Sequence, residues 1–242
     1  MTTGAGDRAT PRLYVLAPSH FCERARWALD QAGVAYVEER WALGPHALHA
    51  RRLTAPRTCL PILDIGTRVI QDSSAILDWC ALPGCLPELE RRFAERIGPL
   101  VRRYLYAALL NEPASNVLDI LLDGVPAVEA GLARITWPVV RQAMIAGMGA
   151  QAEQRPGLAR EIAGALAWFG NHVAGRPYIV GDEFGRADLT AASLLAPLAR
   201  PKERPLYQMA RLPEDAEAAL AAWRETEALR WVLRVYADHR CC

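Results

Sequence analysis

The sequence predicts an α/β segment followed by an all-helical one, and three observations carry that expectation. Short apolar runs alternate with helical periodicity as far as residue 82, Ala81-Leu82-Pro83-Gly84 breaks the pattern, and beyond it the period is helical with no strand returning. The 242 residues, 52% of them hydrophobic, can bury a sizeable core as one large domain or two small ones.

Leu13-Tyr14-Val15-Leu16 reads as a strand that Pro18 breaks. A helix follows: Phe21, Ala25, Ala28, Leu29 and Ala32 fall on one face, Glu23, Arg24, Arg26 and Asp30 elsewhere, and Gly33 ends it. A second strand is expected over 35–41 and an irregular helical piece over 45–53. Two strands, 61–65 and 68–70, then flank Gly66-Thr67, a two-residue hairpin signal. Asp72-Ser73-Ser74 caps a helix through Ala75, Ile76, Leu77 and Trp79, giving the order βαβαββα. Helices are expected over 87–97, 99–111, 127–150, 157–174, 187–198 and 213–237, with Gly98-Pro99 marking a restart and Trp137-Pro138 a kink.

Composition narrows the function classes. A formal net charge of +1, with arginines spread along the chain, leaves no basic field for nucleic acid. No apolar run is long enough to span a membrane and the amino terminus lacks the apolar core of a signal peptide, so a cytoplasmic protein is expected. The six cysteines form no Cys-x-x-Cys pair and the histidines do not stand at zinc-ligand spacing, which predicts neither disulfides nor metal. Cys241-Cys242 resembles a lipidation tail, but an Arg- and Ala-heavy chain with Lys202 as its single lysine has the character of a GC-rich bacterial product.

Ser19-His20-Phe21-Cys22 is the most informative stretch. It sets a hydroxyl and a thiol where a helix exposes unpaired N–H groups, and such an end favours an anion, a bound thiolate above all. The run from Ser19 to Leu29 is similar to the Ser-x-Phe-[Ser/Cys]-x-Arg-[Ala/Val]-Arg-x-Ala-Leu pattern of serine-type cytosolic glutathione transferases. Leu60-Pro61 followed by Asp72-Ser73 resembles the family's Val-Pro and Glu/Asp-Ser elements, and the stretch from Gly175 to Leu189 resembles its carboxy-terminal motif. The resemblance covers nearly the whole chain. It implies a thioredoxin-like domain over 12–82, after a flexible tail at 1–11, and an all-helical bundle over 89–242 beyond a linker at 83–88.

The same resemblance implies glutathione as co-substrate, a small hydrophobic electrophile and a homodimer. Ser19 would hold the glutathione thiolate, the main chain of Leu60 before a cis Pro61 would pair with the cysteinyl backbone, Asp72 would face the γ-glutamyl amine, and Ser73 would hold the γ-glutamyl carboxylate. Two departures stand out. Cys59 occupies the position where the family commonly has a basic residue for the glycyl carboxylate, leaving Arg57, His49 or Arg52 to substitute. Gly185 replaces the serine or threonine that caps the helix containing Asp188. Tyr104, Tyr106, Arg102, Arg103 and Trp137 are candidates to line the electrophile pocket. Against this reading stand a thiol oxidoreductase or peroxidase using Cys22 or Cys59, and a transferase-like protein that binds glutathione without turnover. Cys22 lies nearly on the apolar helix face, where packing is the expected role.

Overall fold

A computed structural model describes residues 10–240. Most of the expected 1–11 tail, and Cys241 with Cys242, lie outside the described residues. The amino-terminal half runs β1 (Arg12–Val15), α1 (His20–Gln31), β2 (Val37–Arg40), α2 (His46–Thr54), β3 (Ile62–Asp64), β4 (Val69–Gln71) and α3 (Ser73–Cys80). Its sheet has the order β2-β1-β3-β4, with β1 parallel to β2 and antiparallel to β3, and β3 antiparallel to β4. This is the thioredoxin-like arrangement. Gly66 at φ +78° makes the β3–β4 turn, closed by the Ile65 N–H donating to the Arg68 carbonyl at 3.1 Å.

The rest is helical: α4 (Pro87–Arg92), a π-helical turn (Phe93–Ile97), α5 (Gly98–Leu109), α6 (Ala114–Leu121), α7 (Ala127–Met148), α8 (Arg155–Val173), α9 (Arg186–Ala199), α10 (Glu214–Arg224) and α11 (Glu227–His239). Helix α7 carries Pro138 inside it. Two details differ from the sequence expectation: α6 had no predicted counterpart, and the single helix expected over 213–237 is two, with the Thr226 hydroxyl accepting from the Leu229 N–H to cap the second.

Packing follows from which faces are apolar. Helix α1 lays Cys22, Ala25 and Leu29 on the sheet beside Leu13, Val15 and Leu63. Its opposite side sends Trp27 into the helical half, between Phe184 and Tyr236 at ring separations of 5.5 and 4.6 Å. Helix α9 is apolar nearly all round, as a central helix must be, and every residue from Ala187 to Ala199 is buried. Gly98 brings α5 close to α1: a Cβ there would stand 2.8 Å from Phe21 Cζ.

Gly185 has a similar steric reason. A Cβ on it would meet the Pro83 carbonyl oxygen at 2.9 Å and Gly84 Cα at 3.0 Å, so a serine cap does not fit. The linker carbonyls take over the capping: Arg186 N–H donates to Pro83 O at 2.8 Å and Ala187 N–H to Gly84 O at 3.1 Å. Asp188 accepts from the N–H groups of Gly185 at 2.9 Å and Ile179 at 2.7 Å.

Buried charge joins the two halves. Arg24, fully buried on α1, donates to Thr190 Oγ1 on α9 at 3.0 Å and to Ser74 Oγ on α3 at 2.9 Å, and stands 3.5 Å from Glu90 on α4. Glu23, also fully buried, faces Arg26, Arg204 and Arg240. Burial lowers the Arg24 guanidinium to about 10, partly offset by Glu90, so it stays charged at neutral pH. Removing one partner from such a cluster leaves an uncompensated charge in the interior and costs about 3–5 kcal/mol.

Candidate functional site

The strand register gathers the sequence motifs at one sheet end. Tyr14 pairs with Ile62 and Ile62 with Gln71, so the residues after β1, before β3 and after β4 emerge together. These are Ser19, Leu60-Pro61 and Asp72-Ser73. Two helices, α1 and α3, open there with their N-termini, a place where main-chain N–H groups and the helix dipole favour negative charge.

Ser19 caps α1: its hydroxyl accepts from the Cys22 N–H at 3.3 Å, a long contact that leaves the hydroxyl proton free to donate elsewhere. Cys22 itself is completely buried, and burial pushes its thiol up, the reverse of what a reactive thiolate needs. Leu60–Pro61 is a cis peptide. The Pro61 carbonyl accepts from the Asp72 N–H at 3.1 Å, while the Leu60 N–H and C=O find no hydrogen-bond partner among the described residues. An unpaired, partly exposed stretch of main chain can pair with an extended peptide as a sheet edge does.

Asp72 holds φ at +88°, a region L-residues seldom enter, and its carboxylate accepts from the Ser74 N–H at 2.8 Å. Strain of this kind concentrates at functional sites. Ser73 is 1% exposed and its hydroxyl accepts from Arg24 at 3.4 Å, so what it offers a ligand is its main chain at the start of α3 rather than a free side chain. Arg57 is exposed on the segment leading to Leu60, with Nη2 3.9 Å from Cys59 Sγ.

Beside Ser19 a narrow cavity opens into the helical half. Its volume is about 70 Å³, and Leu105, Leu109, Ile120, Leu121 and Leu206 make its walls apolar. Tyr106 and Arg102 line it with His20, whose Nε2 bonds the Gly98 carbonyl at 3.1 Å. Burial and the nearby Arg102 charge push His20 down to about 3, so it is neutral at physiological pH.

Not every candidate comes to this place. Tyr104 is 1% exposed and packs edge-on against Trp223, part of the helical core. Arg103 points away to Gln154 at 3.2 Å, and Trp137 is buried in the core. The 205–210 segment, which contributes Leu206, Tyr207 and Ala210 to the cavity, carried no sequence signal of its own. Among the described residues no group of His, Cys, Asp and Glu is placed to hold a metal, and no helix is long and apolar enough to cross a membrane.

Residues 13–81 match the glutathione S-transferase N-terminal domain family, and residues 132–229 match the glutathione S-transferase C-terminal domain family. The chain belongs to the glutathione S-transferase family. No functionally curated protein matches its sequence. Solved glutathione transferases share the fold from end to end. One from Phanerochaete chrysosporium superposes with a TM-score of 0.64 at 17% identity over 98% of this chain and 99% of that one. A glutathione S-transferase of Ceriporiopsis subvermispora, solved in complex with glutathione, gives 0.62 at 14% over 96% and 98%. One from Xanthobacter autotrophicus Py2 gives 0.51 at 22% over 94% and 93%. The fold thus persists among family members at low identity.

Proposed function

We propose that this glutathione S-transferase family member binds glutathione at the sheet end and activates its thiolate with Ser19 for attack on a small hydrophobic electrophile held in the adjoining cavity. The observation that carries the reading is that Ser19, at the start of α1, lines the apolar cavity and lies at the same sheet end as the unpaired Leu60 main chain. In this arrangement the Leu60 N–H and C=O pair with the cysteinyl residue, Asp72 takes the γ-glutamyl amine, and the first N–H groups of α3 at Ser73 take the γ-glutamyl carboxylate. Arg57 is the cation proposed for the glycyl carboxylate.

A free thiol of pKa near 8.5 is only about 3% ionised at pH 7. Lowering it by two units takes about 2.7 kcal/mol of preferential stabilisation and ionises roughly three quarters of it, within reach of a hydroxyl hydrogen bond combined with a helix N-terminus. The thiolate then forms the sulfur–carbon bond as the leaving group departs with its electron pair, or as the π pair of an activated alkene takes a proton from solvent. We also propose a cytoplasmic homodimer. Val128, Leu132, Ile135 and Val139 follow a 4-3-4 spacing along α7 and are 50–90% exposed, a stripe suited to a second copy.

The thiol oxidoreductase alternative through Cys22 needs an accessible, acidic thiol, and Cys22 is neither. Turnover against pH for Ser19→Ala and Cys22→Ala, with one halonitroarene, separates the readings. Loss of one preorganised donor should lower the Ser19→Ala rate on the order of 100- to 1,000-fold and move its profile to higher pH, while Cys22→Ala keeps most activity. A dead Cys22→Ala beside an active Ser19→Ala would establish the oxidoreductase instead. Glutathione binding without turnover in the parent would mark a binding protein.

A further inference from the structure

The cavity is mainly apolar, and one charged group on its wall has no partner among the described residues. Two arginines and no acidic residue line it. Arg200 is committed elsewhere, donating to both carboxylate oxygens of Glu217 at 2.9 and 3.0 Å and to the Ala210 carbonyl at 3.1 Å. Arg102 has no hydrogen bond or ion pair among the described residues, and its Nε is buried without a partner. The Phe21 ring stands 5.7 Å from its guanidinium carbon, too far to satisfy an N–H donor. A buried, unsatisfied donor on a permanent cation is costly, and a carboxylate presents two oxygens that match the guanidinium fork.

We propose that Arg102 is a specificity-determining residue that selects acceptor substrates carrying a carboxylate on a small apolar body. This rests on the transferase reading and names the substrate class of the same site. The position along α5 sets the polarity of the bound molecule. Arg102, Leu105, Tyr106 and Leu109 share one helix face, with Arg102 toward the Gly98 end that packs on Phe21. The carboxylate therefore lies toward the Gly98 end of α5, and the apolar body extends along Leu105 and Leu109. His20 does not compete for the carboxylate, because it is neutral and bonded to Gly98.

The test uses two unreactive ligands of one shape, 4-phenylbutanoate and 4-phenylbutanamide, titrated calorimetrically into the 242-residue chain with and without glutathione. The parent should bind the carboxylate at least about tenfold more tightly than the amide, the range of a charge-assisted contact. Arg102→Gln should shrink that difference below about threefold, and Arg102→Lys should restore part of it, with circular dichroism and melting confirming the fold of each variant. Equal affinities in the parent, or a preference that survives in Arg102→Gln, would overturn the proposal. Titration of glutathione alone in the same samples tests the transferase reading separately, since the carboxylate preference belongs to the cavity and needs no turnover.

Discussion

Asp72 lets stability and binding be pulled apart. Holding a non-glycine residue at φ +88° costs about 1–3 kcal/mol, which replacement by glycine releases. Against this, Asp72→Gly loses the cap to Ser74 N–H, worth only a few tenths of a kcal/mol when glycine is the replacement, and gives the unfolded chain about 0.4–1 kcal/mol of extra freedom. The glycine variant should therefore be as stable as the parent or up to about 2 kcal/mol more stable. Asp72→Ala keeps the strain and loses the cap, and should be about 1 kcal/mol less stable. Both remove the proposed partner of the γ-glutamyl amine, so both should bind glutathione at least about tenfold more weakly, the effect of a lost charge-assisted hydrogen bond. Urea denaturation and calorimetric titration of the same preparations measure the two quantities. If the glycine and alanine variants were equally stable, the strain argument would fail; if either bound glutathione as the parent does, Asp72 would have no part in binding.

Gly98→Ala should cost up to about 2 kcal/mol in denaturant unfolding, because a gain in helix propensity is outweighed by a Cβ 2.8 Å from Phe21 Cζ and 3.1 Å from Phe93 O. Combination with Phe21→Leu should recover part of that loss, and strictly additive effects would contradict the contact. His20 is neutral in the fold down to about pH 3 but takes a proton near 6.5 when unfolded, so its contribution is present above 6.5 and is lost as pH falls toward 3. Stability should fall by up to about 1.4 kcal/mol per pH unit on this account between those limits, and an NMR titration showing His20 protonated at pH 5 would refute the assignment. Ile135→Glu, on the exposed stripe of α7, should convert a sedimenting dimer to a folded monomer; a parent that sediments as a monomer at micromolar concentration would remove the basis for the dimer.

What the sequence revealed depended on whether the signal was local. The β1–α1 junction was readable because strand alternation, Pro18 and the Ser19 cap are contiguous, and the β3–β4 turn because Gly66 follows a short apolar run. The α10–α11 division was hidden since Leu220, Trp223 and Leu229 are all buried on either side of Thr226, and an apolar count cannot register a change of direction. Helix α5 shows the limit for the site. It has apolar groups on two faces, one with Val101, Tyr104 and Ala108, the other with Leu105, Tyr106 and Leu109. Periodicity separates these faces but does not say which meets solvent or cavity, which is why Tyr104 and Tyr106 had equal standing until the packing against Trp223 placed the first in the core. The contribution of the 205–210 segment depends on a fold-back of nearly 190 residues toward Ala17, where Arg204 donates to the Ala17 carbonyl.

The buried Arg24 also bears on how this architecture can be recombined. Its guanidinium draws its partners from α3, α4 and α9, so hydroxyls and a carboxylate from both halves solvate one charge that neither half could host alone. A chimera that joined residues 12–82 to a foreign helical partner would have to bring its own counterparts of Glu90 and Thr190. Without them it would strand a cation directly behind the start of α3. Exchange of halves between relatives is therefore constrained by one shared charge as much as by the shape of the apolar interface.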